Sequence, residues 1–397
     1  MPCEENCAMD QRLRFVGMDL AGELSMTELC EAFSISRKTG YKWRERYAAL
    51  GAEGPIERSH APKRPAHVTA QAVVEEIIAR RRMRPSWGPR KIVVTLGDIY
   101  PDVAWPAPST AGEILKRAGL VGARRLHRRA PPRLGELTRA ERLNHLWAVD
   151  HKGWIRFGDG TRCEPLTITD SFSRYLISVS STTNTREEQA RPRFEQAFRE
   201  HGLPDAIRSD NGPPFASIGV TGLTALSAWW AKLGIAHERI DPGRPQQNGR
   251  HERFHRTLLE AMQPPSANRQ AQERRFEVFM REYNFERPHE ALGQKPPSRF
   301  YAPSPRAMPD RIPDPDYPKD AMAREVRQNG EIKWRGKLVG VSTALAGETV
   351  CVEETEQGEW QVRFYALPLG VIDAKTNRLR RRPVLKYGPA AQQPSET

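Results

Sequence analysis

Residues 145–150 read His-Leu-Trp-Ala-Val-Asp, and residues 206–210 read Ala-Ile-Arg-Ser-Asp. Each is a short run that ends in a carboxylate, as a buried strand does where it meets a polar edge. Two more strands read at 165–170 and 174–180, joined by a turn at 171–173. Thr185-Arg-Glu-Glu188 is a capping signal for a helix to about His201, and a further helix reads near 221–233. A last strand is expected at 237–241, then a loop over 242–249 in which Asn248 can cap the next helix. Helices at about 249–262 and 268–283 complete the unit. Three consecutive strands, then alternating helix and strand, predict a mixed α/β sheet with helices packed on it.

Upstream the texture is helical. Residues 10–20 have helical periodicity, and Ser25-Met-Thr-Glu28 is a capping box for a helix to about Phe33. Ser36 can cap a third helix, about 37–50, which carries Arg37, Lys38, Lys42, Arg44 and Arg46. Helix, tight turn and basic helix form a helix-turn-helix pattern whose second helix suits a major groove. After a Gly/Pro-rich stretch at 51–68, a second helical unit is expected, with helices at 70–82, 88–96 and 109–118 and a capping box at Thr110–Glu113. Arg124, Arg125, Arg128 and Arg129 lie in a basic connector able to track a phosphate backbone.

Downstream, 303–325 is Pro-rich and reads as a linker. Short β patterns at 331–334, 337–341, 349–354, 361–365 and 369–373 suggest a small β-barrel, followed by a basic tail. The expected organisation is multidomain. It runs from a helix-turn-helix domain (1–60) and a second helical domain (61–130) through a basic linker (131–145) to an α/β core (146–302). The Pro-rich linker (303–325), a β-barrel (326–376) and the tail (377–397) follow.

Over 397 residues, 62 Lys and Arg face 49 Asp and Glu, and the net charge of +13 favours a polyanionic partner. No apolar run approaches the roughly 18–20 residues that span a bilayer, and the first fifteen residues hold no apolar signal core. A soluble cytoplasmic protein is expected. Cys3, Cys7, Cys30, Cys163 and Cys351 are few, scattered and odd in number, so no disulfide framework is expected.

Three carboxylates stand out by position: Asp150, Asp210 and Glu252, the last in the first turns of the helix after Gln-Gln-Asn-Gly. Strand ends and an early helical turn of one sheet can converge, and three acidic side chains there are a hard-ligand set suited to Mg²⁺. Glu252 lies off the apolar stripe Phe254, Leu258, Met262, so the stripe can bury while Glu252 stays free. Asp170 and Asp241 read instead as turn residues.

These residues resemble the DDE transposases of bacterial insertion sequences, whose core is similar to that of retroviral integrases. The resemblance rests on Trp147–Asp150, Thr169-Asp-Ser-Phe-Ser-Arg-Tyr175, Arg208-Ser-Asp-Asn-Gly-Pro-Pro-Phe215, Pro245–Arg253 and Tyr283–Leu292. Ser36–Trp43 and Trp87–Ile92 resemble the paired helix-turn-helix units of such enzymes. It implies an RNase H-like core, a catalytic and metal-binding triad of Asp150, Asp210 and Glu252, and two Mg²⁺ ions for which Mn²⁺ can substitute. The stretch from Asp210 to Glu252 is longer than the family's usual spacing, and the excess falls near 216–226, which suits a surface insertion.

The implied reaction cleaves a phosphodiester at an element end to free a 3′-OH, which then attacks target DNA. Asn211, Asn248 and His251 flank the carboxylates as possible support, and Arg244, Arg250, Arg253 and Arg256 as phosphate contacts. The C-terminal barrel would be SH3-like. Implied partners are double-stranded DNA, both element ends and target, and a second copy of the chain, since joining two ends needs at least a dimer. Competing readings are a DNA-binding repressor with a decayed core and an RNase H-like nuclease that only cleaves.

Overall fold

The protein is described by a computed structural model covering residues 8–56, 69–122, 137–217, 219–241, 249–318 and 321–380. It forms two units, 1–69 and 70–397, each described by itself.

In the first unit α1 (Ala8–Ala21), α2 (Met26–Ala32) and α3 (Arg37–Leu50) close on a core of Phe15, Val16, Leu29 and Cys30. Ser25 and Glu28 form the expected capping box, and Ser36 Oγ accepts from the Thr39 amide at 3.2 Å. Gly40 is what lets α3 lie this close: a Cβ there would stand 2.7 Å from Cys30 Sγ and 2.9 Å from the Phe15 ring. The packing leaves Arg37, Lys38, Lys42 and Arg44 exposed on α3.

In the second unit α4 (Gln71–Met83), α5 (Pro89–Ile99) and α6 (Pro108–Arg117) bury Ile77, Trp87, Ile92, Leu96, Ala111 and Leu115. The expected capping box at Thr110 is not the start of α6. Proline at the first position fixes the φ a helix needs and lacks only an orphan N–H, so α6 begins at Pro108 and Thr110 lies inside it. This bundle docks on the end of the α/β core through charge. Arg84 bonds Glu282 at 2.9 Å and also Glu286, and Arg287 donates to Ser86 Oγ at 3.0 Å.

The core sheet contains β1 (Leu146–His151), β2 (Ile155–Arg156), β3 (Arg162–Asp170), β4 (Leu176–Thr182), β5 (Ala206–Ser209) and β6 (Ala236–Arg239). β3 is antiparallel to β1, β2 and β4, whereas β1, β5 and β6 run parallel. Two parallel strands after an antiparallel run is the mixed sheet expected, with an RNase H-like order. Strand alternation sorts the residues. Trp147, Val149, Leu166 and Ile168 pack with α7 (Glu187–His201) and α8 (Ala225–Lys232), so Ala148, Asp150, Thr167 and Thr169 turn to the opposite face. That face is covered by α9 (Gly249–Ala261) and α10 (Arg269–Arg281), packed through Phe254, Leu258, Met262 and Phe276 on Leu176 and Val179.

The capping signal at Thr185 also shifts. Asn184 Oδ1 takes the Arg186 amide at 2.9 Å, and Arg186 is the residue from which α7 starts, without a side-chain cap.

C-terminally, β10 (Thr349–Glu354), β11 (Trp360–Phe364) and β12 (Leu367–Ile372) form a sheet with β7 (Met322–Glu325) and β13 (Leu379–Arg380) at its edges, in the order β13-β12-β11-β10-β7. β8 (Glu331–Trp334) and β9 (Lys337–Gly340) make a separate hairpin on the same core. A sheet and a hairpin are thus what the β patterns build, with the edge strands β7 and β13 falling in the stretches expected as linker and tail. Leu223 and Ala228 of the α/β core are buried in this second core, and Lys232 pairs with Glu348 at 2.8 Å. The stretch expected as a surface insertion is therefore not all surface: Gly219 and Val220 are exposed, whereas Leu223 is buried in the core of the C-terminal sheet.

Candidate active site

The sheet register decides where the carboxylates meet. β1 and β5 pair in parallel with Ala148 opposite Arg208. Two residues further on lie Asp150, still within β1, and Asp210, the residue that follows β5. Neighbouring strands lie about 4.8 Å apart, so both aspartates fall at the carboxyl edge of the sheet, with Asp150 on the face that α9 covers.

Electrostatics report the same closeness. Burial, then the Asp210 carboxylate, then Glu252 push the Asp150 carboxyl up to about 7, against the opposing pull of Lys152 and the His151 amide. Asp150 keeps 20% of its side-chain surface, Asp210 is half-buried, and Glu252 is exposed on the first turn of α9. Charge of one sign gathered in a partly dry place is what a divalent cation relieves, and the donors are hard oxygens. The residues fit Mg²⁺.

Local bonds fix the loops around these groups. Asp210 Oδ1 accepts from the Gly212 amide at 3.1 Å. Asn211 Nδ2 donates to the Ile240 carbonyl at 2.6 Å, so its side chain ties the end of β5 to the end of β6 and does not reach toward substrate. His251 is also turned inward. It is buried, with Nε2 2.7 Å from Thr167 Oγ1 and Nδ1 3.2 Å from Thr169 Oγ1. Arg253 and Arg256 are exposed on α9, and Arg256 follows Glu252 by four residues on the same helix face. Arg250 belongs to α9. Asn248, Arg244, Arg124, Arg125, Arg128 and Arg129 lie outside the described residues.

On α3, Arg37, Lys38 and Lys42 are exposed. Arg44 leans over the Tyr41 ring at 4.9 Å and reaches the largely covered carboxylate of Asp19 at 3.7 Å.

His255 went unremarked in the sequence. It sits one helical turn after His251, buried, with Nε2 2.8 Å from Thr167 Oγ1 and Nδ1 3.6 Å from Asp150 Oδ2. The i, i+4 spacing of the two histidines was visible; the threonine beneath both was not, because it comes from β3. Asp170, read as a turn residue, is a fully buried hub. Its carboxylate accepts from the Ser173 amide at 2.7 Å, Ser173 Oγ at 2.6 Å and the Asn144 amide at 3.1 Å.

Comparison with known proteins gives matches along most of the chain. Models described as an integrase core domain match residues 140–245 and 233–297. A homeodomain-like domain matches 39–115, and the C-terminal domain of IS481 family transposases matches 321–380. An uncharacterised 39.2 kDa protein of insertion element IS476 from Xanthomonas euvesicatoria is 31% identical over 183 residues, 45% of this chain and 51% of that protein. A 31.7 kDa protein of insertion element IS407 from Burkholderia multivorans is 28% identical over 200 residues, 48% of this chain and 67% of that protein. The Gag-Pol polyprotein of baboon endogenous virus is 31% identical over 128 residues, 32% of this chain and 7% of the polyprotein. The chain thus spans about half the length of the IS476 relative. Among the described residues, no helix is long and apolar enough to cross a membrane.

Proposed function

We propose that the chain is an insertion-sequence transposase with an integrase-like core, which binds the ends of a mobile DNA element, cleaves them to 3′-OH termini and joins them to target DNA. The observation that supports this reading best is that Asp150 in β1 and Asp210 just after the parallel strand β5 lie at the same sheet edge, with the charges of Asp210 and of Glu252 on α9 both felt at Asp150.

Asp150, Asp210 and Glu252 are the residues that would hold divalent cations, Mg²⁺ with Mn²⁺ as substitute. Two such ions, when bound, supply activation of an attacking oxygen and stabilisation of a leaving oxygen in an in-line displacement. The protein's own work is positioning. β1 and β5 hold two carboxylates on one rigid sheet edge, so neither must be ordered when DNA arrives. Arg256, on the Glu252 face of α9, and Arg253 are placed to receive phosphates beside the carboxylates. Arg37, Lys38, Lys42 and Arg44 of α3 face a DNA groove or backbone, and the connector arginines Arg124, Arg125, Arg128 and Arg129, with Arg244 and Arg250, extend that contact.

The end-reading bundle is braced on the core by Arg84, Glu282 and Glu286, which keeps DNA-binding and cutting elements in one frame. Two ends held at once call for at least a dimer on DNA. The C-terminal sheet serves DNA contact or assembly, and the setting is the bacterial cytosol.

The test is to incubate the purified chain with labelled duplexes carrying the element's own ends, with and without Mg²⁺ or Mn²⁺. Metal-dependent cleavage followed by joined products is expected. Cleavage without joining would favour a nuclease, and specific binding with neither would favour a repressor.

A further inference from the structure

One hydroxyl proton organises the histidines behind Asp150. Thr167 Oγ1 lies 3.0 Å from the Asp150 carbonyl oxygen, 2.7 Å from His251 Nε2 and 2.8 Å from His255 Nε2. A carbonyl oxygen only accepts, so the single Thr167 proton goes there. Both Nε2 atoms must then carry hydrogen and donate to Thr167. In a neutral imidazole that leaves each Nδ1 as a lone pair. The His251 Nδ1 faces the Thr169 hydroxyl at 3.2 Å, a hydroxyl that also lies 3.4 Å from the Ala148 carbonyl as a donor. The His255 Nδ1 faces Asp150 Oδ2 at 3.6 Å, so a lone pair meets a carboxylate oxygen.

Two acceptors held face to face in a buried place need a proton or a cation between them. Two ligands of one tetrahedral Zn²⁺, bonded at about 2.0–2.2 Å, sit roughly 3.3–3.5 Å apart, close to the separation seen. We propose that His255 Nδ1 and Asp150 Oδ2 form a nitrogen–oxygen ligand pair for a borderline transition-metal cation of the Zn²⁺ class. His251 also has a ligand atom within 4.8 Å of the other two, but both its nitrogens are engaged by threonines and it acts as a prop. Mg²⁺ prefers oxygen and has no use for the imidazole. Because Asp150 is common to this pair and to the proposed triad, Zn²⁺ here would hold the carboxylate toward His255 of α9 and compete with Mg²⁺. That competition rests on the reading of Asp150 as a triad ligand; the ligand pair itself does not.

The experiment titrates Zn²⁺ into the full chain by calorimetry, wild type beside His255→Gln and Asp150→Asn, and records the zinc-edge X-ray absorption of the loaded wild type. At least a tenfold loss of Zn²⁺ affinity is expected in each variant, with imidazole scattering in the wild-type spectrum and weaker Zn²⁺ binding in excess Mg²⁺. His255→Gln should keep its Mg²⁺-induced rise in unfolding temperature. Unchanged affinity in His255→Gln, or a spectrum without imidazole, overturns the proposal; the spectrum decides alone if that variant does not fold. Asp210→Asn separates the two readings. If it still cleaves DNA the triad fails while the Zn²⁺ pair stands, and if Zn²⁺ ignores His255 the pair fails while the triad stands.

Discussion

Asp150, within β1, and Asp210, the residue after β5, each lie two positions beyond the pairing of Ala148 with Arg208 on these parallel neighbours. Asp150 bears the Asp210 charge on top of its own burial, and Lys152 does not offset the two. The fold therefore holds unfavourable charge at one edge, which a divalent ion would discharge.

The first prediction concerns that charge. The Asp150 carboxyl is raised from 3.8 to about 7 by burial and by Asp210. A raised folded-state value means the folded protein binds the proton more tightly than the unfolded chain. The Asp150 contribution is therefore most favourable below about pH 4 and is lost as pH rises toward about 7. Asp150→Asn without divalent ions should raise the unfolding temperature by a few degrees at pH 7.5, of order 2 kcal/mol. Thermal unfolding of both proteins from pH 4 to 8 checks this; a variant less stable than wild type at pH 7.5 would contradict it.

Asp170→Asn should do the reverse. Its carboxylate takes three donated hydrogens from Ser173 and Asn144 in the dry interior. An amide offers one oxygen and turns an NH₂ group toward donors. A loss of about 2–3 kcal/mol is expected by denaturant unfolding, and a loss below ~0.5 kcal/mol would mean the network is not structural.

The docking of the α4–α6 bundle can be read by charge exchange. Arg84 and Glu282 are each about one-fifth exposed and 2.9 Å apart. Arg84→Glu and Glu282→Arg should each destabilise, and the double variant should recover about 1 kcal/mol of coupling in a double-mutant cycle. Strict additivity would show that the ion pair does not hold the bundle.

Two half-buried histidines set an acid limit. Burial holds His237 and His289 neutral, each lowered to about 3. The unfolded chain protonates them near 6.5, so their contribution is intact above pH 6.5 and is lost as pH falls toward 3. In an Asp150→Asn background, stability should fall below pH 6.5 by up to ~1.4 kcal/mol per pH unit for each histidine. His237→Gln should flatten that slope by about one proton's worth; an unchanged slope would count against a neutral His237.

Local signals carried much of the fold. Ser25 and Ser36 cap the helices their sequence context announces, since a cap needs only its own next three residues. Thr110 and Thr185 misled because nearby Pro108 and Asn184 settle those helix starts differently. What could not be read was made by register and packing. Thr167 meets His251 and His255 only because α9 crosses β3, and Leu223 is buried only because the C-terminal sheet folds against α8. Asp150, Asp210 and Glu252 could be nominated from their local contexts, but their closeness follows from the offset between β1 and β5.

The most direct test compares wild type with Asp210→Asn on labelled element-end DNA in Mg²⁺, scoring binding, cleavage and joining separately. α3 and Asp210 belong to different units of the chain, so binding at equal salt should be unchanged. Cleavage and joining should both vanish. A variant that binds and still cleaves at the wild-type rate would contradict the assignment of this sheet edge as the active site.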